Sequence, residues 1–152
     1  MKKVLLIAFL SFSVLATKAQ QDSGFIARKV IESFQKGDIN ILKKLVAPPK
    51  VYKQIYPEVK RKTNKQIINE TINSKEFKAS FDKILAKAKA KNINLDSVQY
   101  IRTELTGPEI KTLRVLNVHF AINGKKDYFG IFCHYINNNW YFSDFTNDDS
   151  VF

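Results

Sequence analysis

The sequence predicts an α+β fold in which N-terminal helices pack on a curved, mostly antiparallel sheet of about four strands, and three observations carry that prediction. Between residues 23 and 91, apolar side chains recur at helical spacing. After Asn92 the period falls to two, and β-branched and aromatic residues take over. Asn123-Gly124 then separates two apolar runs, which is the strongest short hairpin signal because both central residues of the tight turn take positive φ. Helices first and strands afterwards argue a layered α+β arrangement rather than alternating βαβ units.

Residues 1–19 read as an export signal. Lys2 and Lys3 form a positive start, Val4 to Leu15 is apolar apart from Ser11 and Ser13, and Thr17-Lys18-Ala19 supplies small residues around a cleavage point. That run is shorter than the ~20 residues a membrane-spanning helix needs, so the expectation is a soluble periplasmic or secreted protein without a transmembrane segment. Residues 20–152 are long enough for a single domain with a core of its own.

Ser23 is positioned to cap a helix from Phe25 to Lys36, with Phe25, Ile26, Val30 and Phe34 as its apolar stripe and Gly37 as its end. Asp38 caps a second helix, Ile39 to Leu45, which Ala47-Pro48-Pro49 stops. Val51 to Tyr56 reads as a short helical or irregular piece before Pro57. Thr63 or Asn64 starts a helix through Ile72, and Ser74 caps Lys75 to Lys91, where Phe77, Phe81, Ile84, Leu85 and Ala88 keep the helical period. Strands are expected over Ser97–Thr106, Lys111–Ile122, Lys125–Ile136 and Trp140–Thr146, with turns at Gly107-Pro108, Asn123-Gly124 and Asn137-Asn138-Asn139. Asn147 to Phe152 reads as a frayed tail or a small edge extension.

A two-residue turn at Asn123-Gly124 pairs Ile122 with Lys125, Phe120 with Asp127 and Val118 with Phe129. One side of that hairpin then carries Arg114, Leu116, Val118, Phe120, Ile122, Phe129, Ile131 and Cys133. The other is mixed and carries Leu113, Val115, Asn117, His119, Ala121, Tyr128, Gly130, Phe132 and His134. The next turn leaves an alternative open. Two central residues put Trp140, Phe142 and Asp144 on the apolar side, and three put Tyr141, Ser143 and Phe145 there.

The formal net charge is +11, and its excess lies between residues 50 and 91, where eleven lysines and Arg61 face Glu58, Glu70, Glu76 and Asp82. Lysine's dominance over arginine serves bidentate phosphate recognition poorly. A solvated helical face explains the pattern, and its functional counterpart is a diffuse anionic surface such as a membrane or an acidic polysaccharide. Nucleic acid is disfavoured, since no recognition motif is present. Cys133 is the single cysteine and reads as a small buried hydrophobe on a strand.

Phe25 through Asp38, continuing to Leu42-Lys43-Lys44-Leu45-Val46-Ala47-Pro48, resembles the opening of the nuclear transport factor two-like (cystatin-like α+β cone) superfamily, in which a helix ending in Gly-Asp feeds a second helix. Asn138-Asn139-Trp140-Tyr141-Phe142-Ser143-Asp144-Phe145 is similar to that group's closing strand. The resemblance implies a cone with a pocket between sheet and helices, pairing through the sheet in many members, and no particular reaction. Some members are isomerases, dehydratases or cyclases using a pocket Asp or His, and many only bind. Residues 50–91 depart from the pattern by supplying more helix and more lysine.

Within that frame Phe129, Ile131, Trp140, Phe142 and Asp144 are the expected pocket residues, open to a small apolar ligand. Asp144 is the candidate general base, because an apolar surround raises a carboxyl toward neutrality. Arg114 on the same side is a possible neutralising partner, and the competing reading is a strand-end aspartate that is exposed or paired. The aromatic residues of the strands also have a plain role as core. His119 and His134 share a face, yet their offset is large and no carboxylate completes a metal set, so no metal and no cofactor are expected. No Gly-x-Ser-x-Gly elbow or phosphate loop occurs in a chain with five glycines. Asn69-Glu70-Thr71 matches a glycosylation acceptor. If a homodimer forms through the sheet, Val115, His119, Tyr128 and Phe132 are its expected contact. The reading is an exported, non-catalytic binding or interaction module, with a pocket enzyme of isomerase or dehydratase type using Asp144 as the alternative.

Overall fold

The computed structural model describes residues 22–146 together with Val151 and Phe152. Residues 1–19, where an export signal is expected, and the stretch 147–150 lie outside the described residues. Helices come first and a four-stranded antiparallel sheet follows, in the order β1-β2-β3-β4. Among the described residues no helix is long and apolar enough to cross a membrane.

Helix α1 (Ser23–Lys36) is capped by Asp22, whose carboxylate accepts from the Gly24 amide at 2.9 Å, so the cap lies one residue ahead of the expected Ser23. The Ser23 hydroxyl instead meets the Thr103 hydroxyl at 2.9 Å and ties the start of the helix to the sheet. Gly37 closes α1 in the left-handed region at φ 58°, and Asp38 caps α2 (Ile39–Lys43) by accepting from the Asn40 amide. Helix α2 stops two residues short of the expected Leu45. The Leu45 carbonyl accepts from the Phe142 amide at 2.9 Å and Val46 forms a parallel bridge to Phe142, so the edge of the sheet captures this chain.

Helix α3 (Pro49–Ile55) begins with proline in its first turn, where a missing amide hydrogen costs nothing. Helix α4 (Asn64–Glu70) opens on a full capping box between Thr63 and Gln66. Helix α5 (Lys75–Ala90) is capped by the Ser74 hydroxyl on the Phe77 amide at 3.1 Å. Its buried residues Phe81, Ile84 and Ala88 belong to the expected stripe, whose Phe77 and Leu85 are half-buried.

The sheet consists of β1 (Gln99–Ile110), β2 (Leu113–Ile122), β3 (Lys125–Ile136) and β4 (Asn139–Phe145). The β2–β3 register matches the expected pairing of Ile122 with Lys125, Phe120 with Asp127 and Val118 with Phe129. Gly107-Pro108 is not the turn it resembles. β1 runs through it as an irregular stretch, passing from Thr106 opposite Val115 to Ile110 opposite Leu113, and the chain reverses at Lys111-Thr112. A proline is tolerated there because β1 is an edge strand and the ladder is already broken. The third turn has two central residues, Asn137 and Asn138, at φ 50° and 62°. Asparagine reaches the left-handed region more readily than most residues.

Helices and one face of the sheet enclose an aromatic core. Phe34 stacks on Phe81 at 5.8 Å and on Phe145 at 5.7 Å, and meets Phe129 edge-on at 6.0 Å. Val151 and Phe152 are buried against the same cluster, with the Phe152 ring 5.5 Å from Phe34 and 5.4 Å from Phe120. The end of the expected tail is therefore core, since a phenylalanine buried against other rings gains far more than it would frayed in water.

Candidate functional site

The β3–β4 hairpin decides where Asp144 points. Its two-residue turn places Phe142 opposite Cys133, on the helix-facing side. One extra residue, Ser143, then enters β4 as a bulge between Cys133 and Phe132, so Asp144 pairs with Phe132 and Phe145 with Ile131. The bulge turns Asp144 away from the core, and it is exposed, contrary to its expected place on the apolar side. Its carboxylate accepts from the Phe145 amide at 2.8 Å. Arg114, the anticipated neutraliser, donates to Glu109 at 2.9 Å and to the carbonyls of Lys111 and Leu113.

The other expected pocket residues are packed rather than lining a hollow. Phe129, Ile131 and Phe142 are fully buried members of the core, and Trp140 is half-buried against it, its ring 4.7 Å from that of Tyr135 and tilted by 40°. Asp144 lies instead on an open cleft of about 220 Å³ at the β4 edge, shared with Tyr52, Glu70, Glu76, Phe77 and Ser143. Two of its groups are committed elsewhere: Glu70 pairs with Lys62, and the Ser74 hydroxyl caps α5. Burial first, then the neighbouring Tyr56 hydroxyl and the Asp144 carboxylate, push the Tyr52 hydroxyl up to about 12, so it stays protonated as a donor.

His134 shows what the sequence did not reveal. It lies on the mixed face of the sheet but is 1% exposed. Nε2 meets the Tyr56 hydroxyl and Nδ1 the Thr112 hydroxyl, each at 3.1 Å, and the rings of Tyr52 and Tyr56 stand edge-on to it. Burial lowers its pKa and favours the neutral ring. The Tyr52–Tyr56 spacing of four residues, one turn of helix, was the available signal that α3 presents two rings on one face. His119 sits at the far end of the same face, bonded to Glu104 at 3.0 Å. Leu113 is the strand partner of His134, so six residues of β2 separate the two imidazoles by about 20 Å at the usual strand rise. No group of three or more metal-ligating side chains suited to a metal ion occurs among the described residues.

Val115, His119, Tyr128 and Phe132 do share a face: Val115 pairs with Phe132 and His119 with Tyr128. Tyr128 is 54% exposed, while the other three are half-buried. Cys133 is fully buried, and burial pushes its thiol well above the ordinary range, which leaves it unreactive.

The lysine-rich segment forms the helical layer that carries the cleft. Lys50, Lys60, Arg61, Lys65, Lys75 and Lys89 are exposed there. The acids of the segment are partly spent within it, Glu70 on Lys62 and Asp82 on Lys78. Ile101, Leu105, Ile110, Tyr128 and Tyr135, the exposed large apolar side chains among the described residues, all lie on strands. Comparison of the chain with protein-family models, with curated proteins and with solved structures finds no match.

Proposed function

We propose that this chain is an exported, non-catalytic binding module of the nuclear transport factor two-like kind, which attaches through its basic helical layer to an acidic polysaccharide. The observation that carries the reading is the concentration of exposed Lys50, Lys60, Arg61, Lys65, Lys75 and Lys89 on helices and their connections, with two of the four acids of residues 50–91 already neutralised internally. Lysine ammonium groups act as hydrated point charges, suited to a partner of diffuse charge. A polysaccharide is favoured over a bilayer because the exposed large apolar side chains are on the sheet, leaving none on the basic layer to enter acyl chains. The non-catalytic part rests on the filled helix-facing side of the sheet and on the exposure of Asp144, which lacks the apolar surround that would tune it as a base. Export rests on the pattern of residues 1–19, and the superfamily on Gly37-Asp38 and the closing strand.

Retention on immobilised alginate, with neutral dextran and phosphatidylglycerol vesicles as comparisons, tests this. Retention by alginate that collapses between 50 and 500 mM salt, roughly a Debye length of ~14 Å shrinking to ~4 Å, is the expected result. Lys60→Glu with Arg61→Glu and Lys65→Glu should abolish it. Salt-insensitive retention, none at all, or preference for the vesicles overturns the reading.

A further inference from the structure

β1 is the outer strand of the sheet, and from Arg102 to Thr106 it keeps regular register with β2. Natural edge strands are usually guarded by lysine, proline or a bulge. Here Gln99 to Thr106 holds no lysine and no proline, and the one irregularity, between Tyr100 and Arg102, lies at the start of the regular run. Leu105 is 53% exposed on this strand, and Arg102 and Glu104 stand out from the sheet face opposite the one that α1 packs on, 3.1 Å apart.

The order Arg102-Thr103-Glu104 is complementary to itself when reversed. We infer that β1 pairs antiparallel with β1 of a second copy of this chain, about a two-fold axis through Thr103 and perpendicular to the sheet. That operation keeps each sheet face on its own side, sets Thr103 opposite Thr103, and sets Arg102 of each copy opposite Glu104 of the other. The pleat excludes registers shifted by one residue, since these bring helix-facing Thr103 opposite outward-facing Glu104. Shifts by two centre on Arg102 or on Glu104 and place like charges in contact.

Glu104 already accepts from His119 at 3.0 Å as well as from Arg102, and this contact to β2 steadies the carboxylate at the edge. In the pair, two guanidinium groups and two carboxylates alternate around the axis. The contact covers Leu105 on the helix-facing side. It is short, so association is concentration-dependent. It involves no residue of the basic layer and stands whether or not that layer binds polysaccharide.

Two measurements on the full chain test the pairing. By sedimentation velocity at low salt, the unmodified protein should move from monomer to dimer as concentration rises. Arg102→Glu and Glu104→Arg should each weaken the dimer at least tenfold, and the double exchange should restore it; both positions are exposed, and circular dichroism checks their folding. Opposed strand residues lie about 4.5–5.5 Å apart at Cα, within disulfide range, so Thr103→Cys should cross-link under mild oxidation and Thr106→Cys should not. Cys133 is fully buried and does not compete. A protein monomeric at every concentration, a dimer indifferent to both single reversals, no recovery in the double exchange, or equal cross-linking at the two positions overturns the inference.

Discussion

Replacing Phe152 by alanine asks whether the helix-facing hollow of the sheet is filled by the chain itself. The ring is 9% exposed and lies 5.5, 5.4 and 6.4 Å from the rings of Phe34, Phe120 and Phe129. Phenylalanine-to-alanine changes in cores cost about 3–5 kcal/mol, and the residual exposure here argues for the lower end, about 3 kcal/mol. With a urea dependence of about 2 kcal/mol per M, the unfolding midpoint should fall by about 1.5 M. The void left behind is walled by aromatic rings, so it should stay dry and take up benzene, raising the midpoint of Phe152→Ala while leaving the unmodified protein unchanged. A loss under about 1 kcal/mol, with no response to benzene, would refute the argument that Phe152 closes the core.

Three further perturbations read other joints of the fold. A Cβ on Gly130 would come within 2.2 Å of the Thr146 hydroxyl, so Gly130→Ala should cost about 1–3 kcal/mol in urea unfolding, and Thr146→Ala should recover most of it. Thr63→Ala removes the capping box of α4 and should cost about 1 kcal/mol, measurable by the same titration. Because burial lowers the pKa of His134, the folded state binds fewer protons than the unfolded one below the ordinary value of 6.5. Stability should be full above 6.5 and decline as pH falls beneath it, and His134→Gln should flatten that slope in unfolding curves at pH 7.5 and 5.5. The groups facing His134 there include Tyr52 and Tyr56, whose hydroxyls burial raises above their ordinary value, and the uncharged Thr112 and Leu113.

The elements that the sequence disclosed are those whose chemistry is local. Asn123-Gly124 demands positive φ at both positions and so dictated the β2–β3 register. The apolar stripes of α1 and α5 repeat with the helical period, and Ile26, Val30 and Phe34 of the first and Phe81, Ile84 and Ala88 of the second are buried, while Phe25, Phe77 and Leu85 are half-buried against the core. The departures come from partners distant in the chain. Ser23 had the chemistry of a cap but found Thr103, eighty residues away, and Asp22 took its place. Leu45 left α2 because Phe142 offered it an amide. Gly107-Pro108 has turn composition, yet its neighbour β2 holds it in an irregular strand.

Asp144 marks the sharpest departure. The two-residue turn at Asn137-Asn138 was one of the two alternatives open from sequence, and it put Phe142 inside as that alternative requires. The bulge at Ser143 then placed Phe145 inside as the other requires, and sent Asp144 to the surface. A bulge depends on how two strands and the flanking Val46 chain meet, and no single residue of β4 announces it. His134 is similar: its face was legible, but its cover by Tyr52 and Tyr56 depends on where α3 comes to rest.

Crystals of the protein held under xenon pressure test most directly whether the helix-facing side of the sheet is solid. The unmodified chain should show no xenon among Phe34, Phe120, Phe129 and Phe142, and Phe152→Ala should show an atom where the ring was. Xenon bound among those rings in the unmodified protein would contradict the account and return a ligand hollow to this fold.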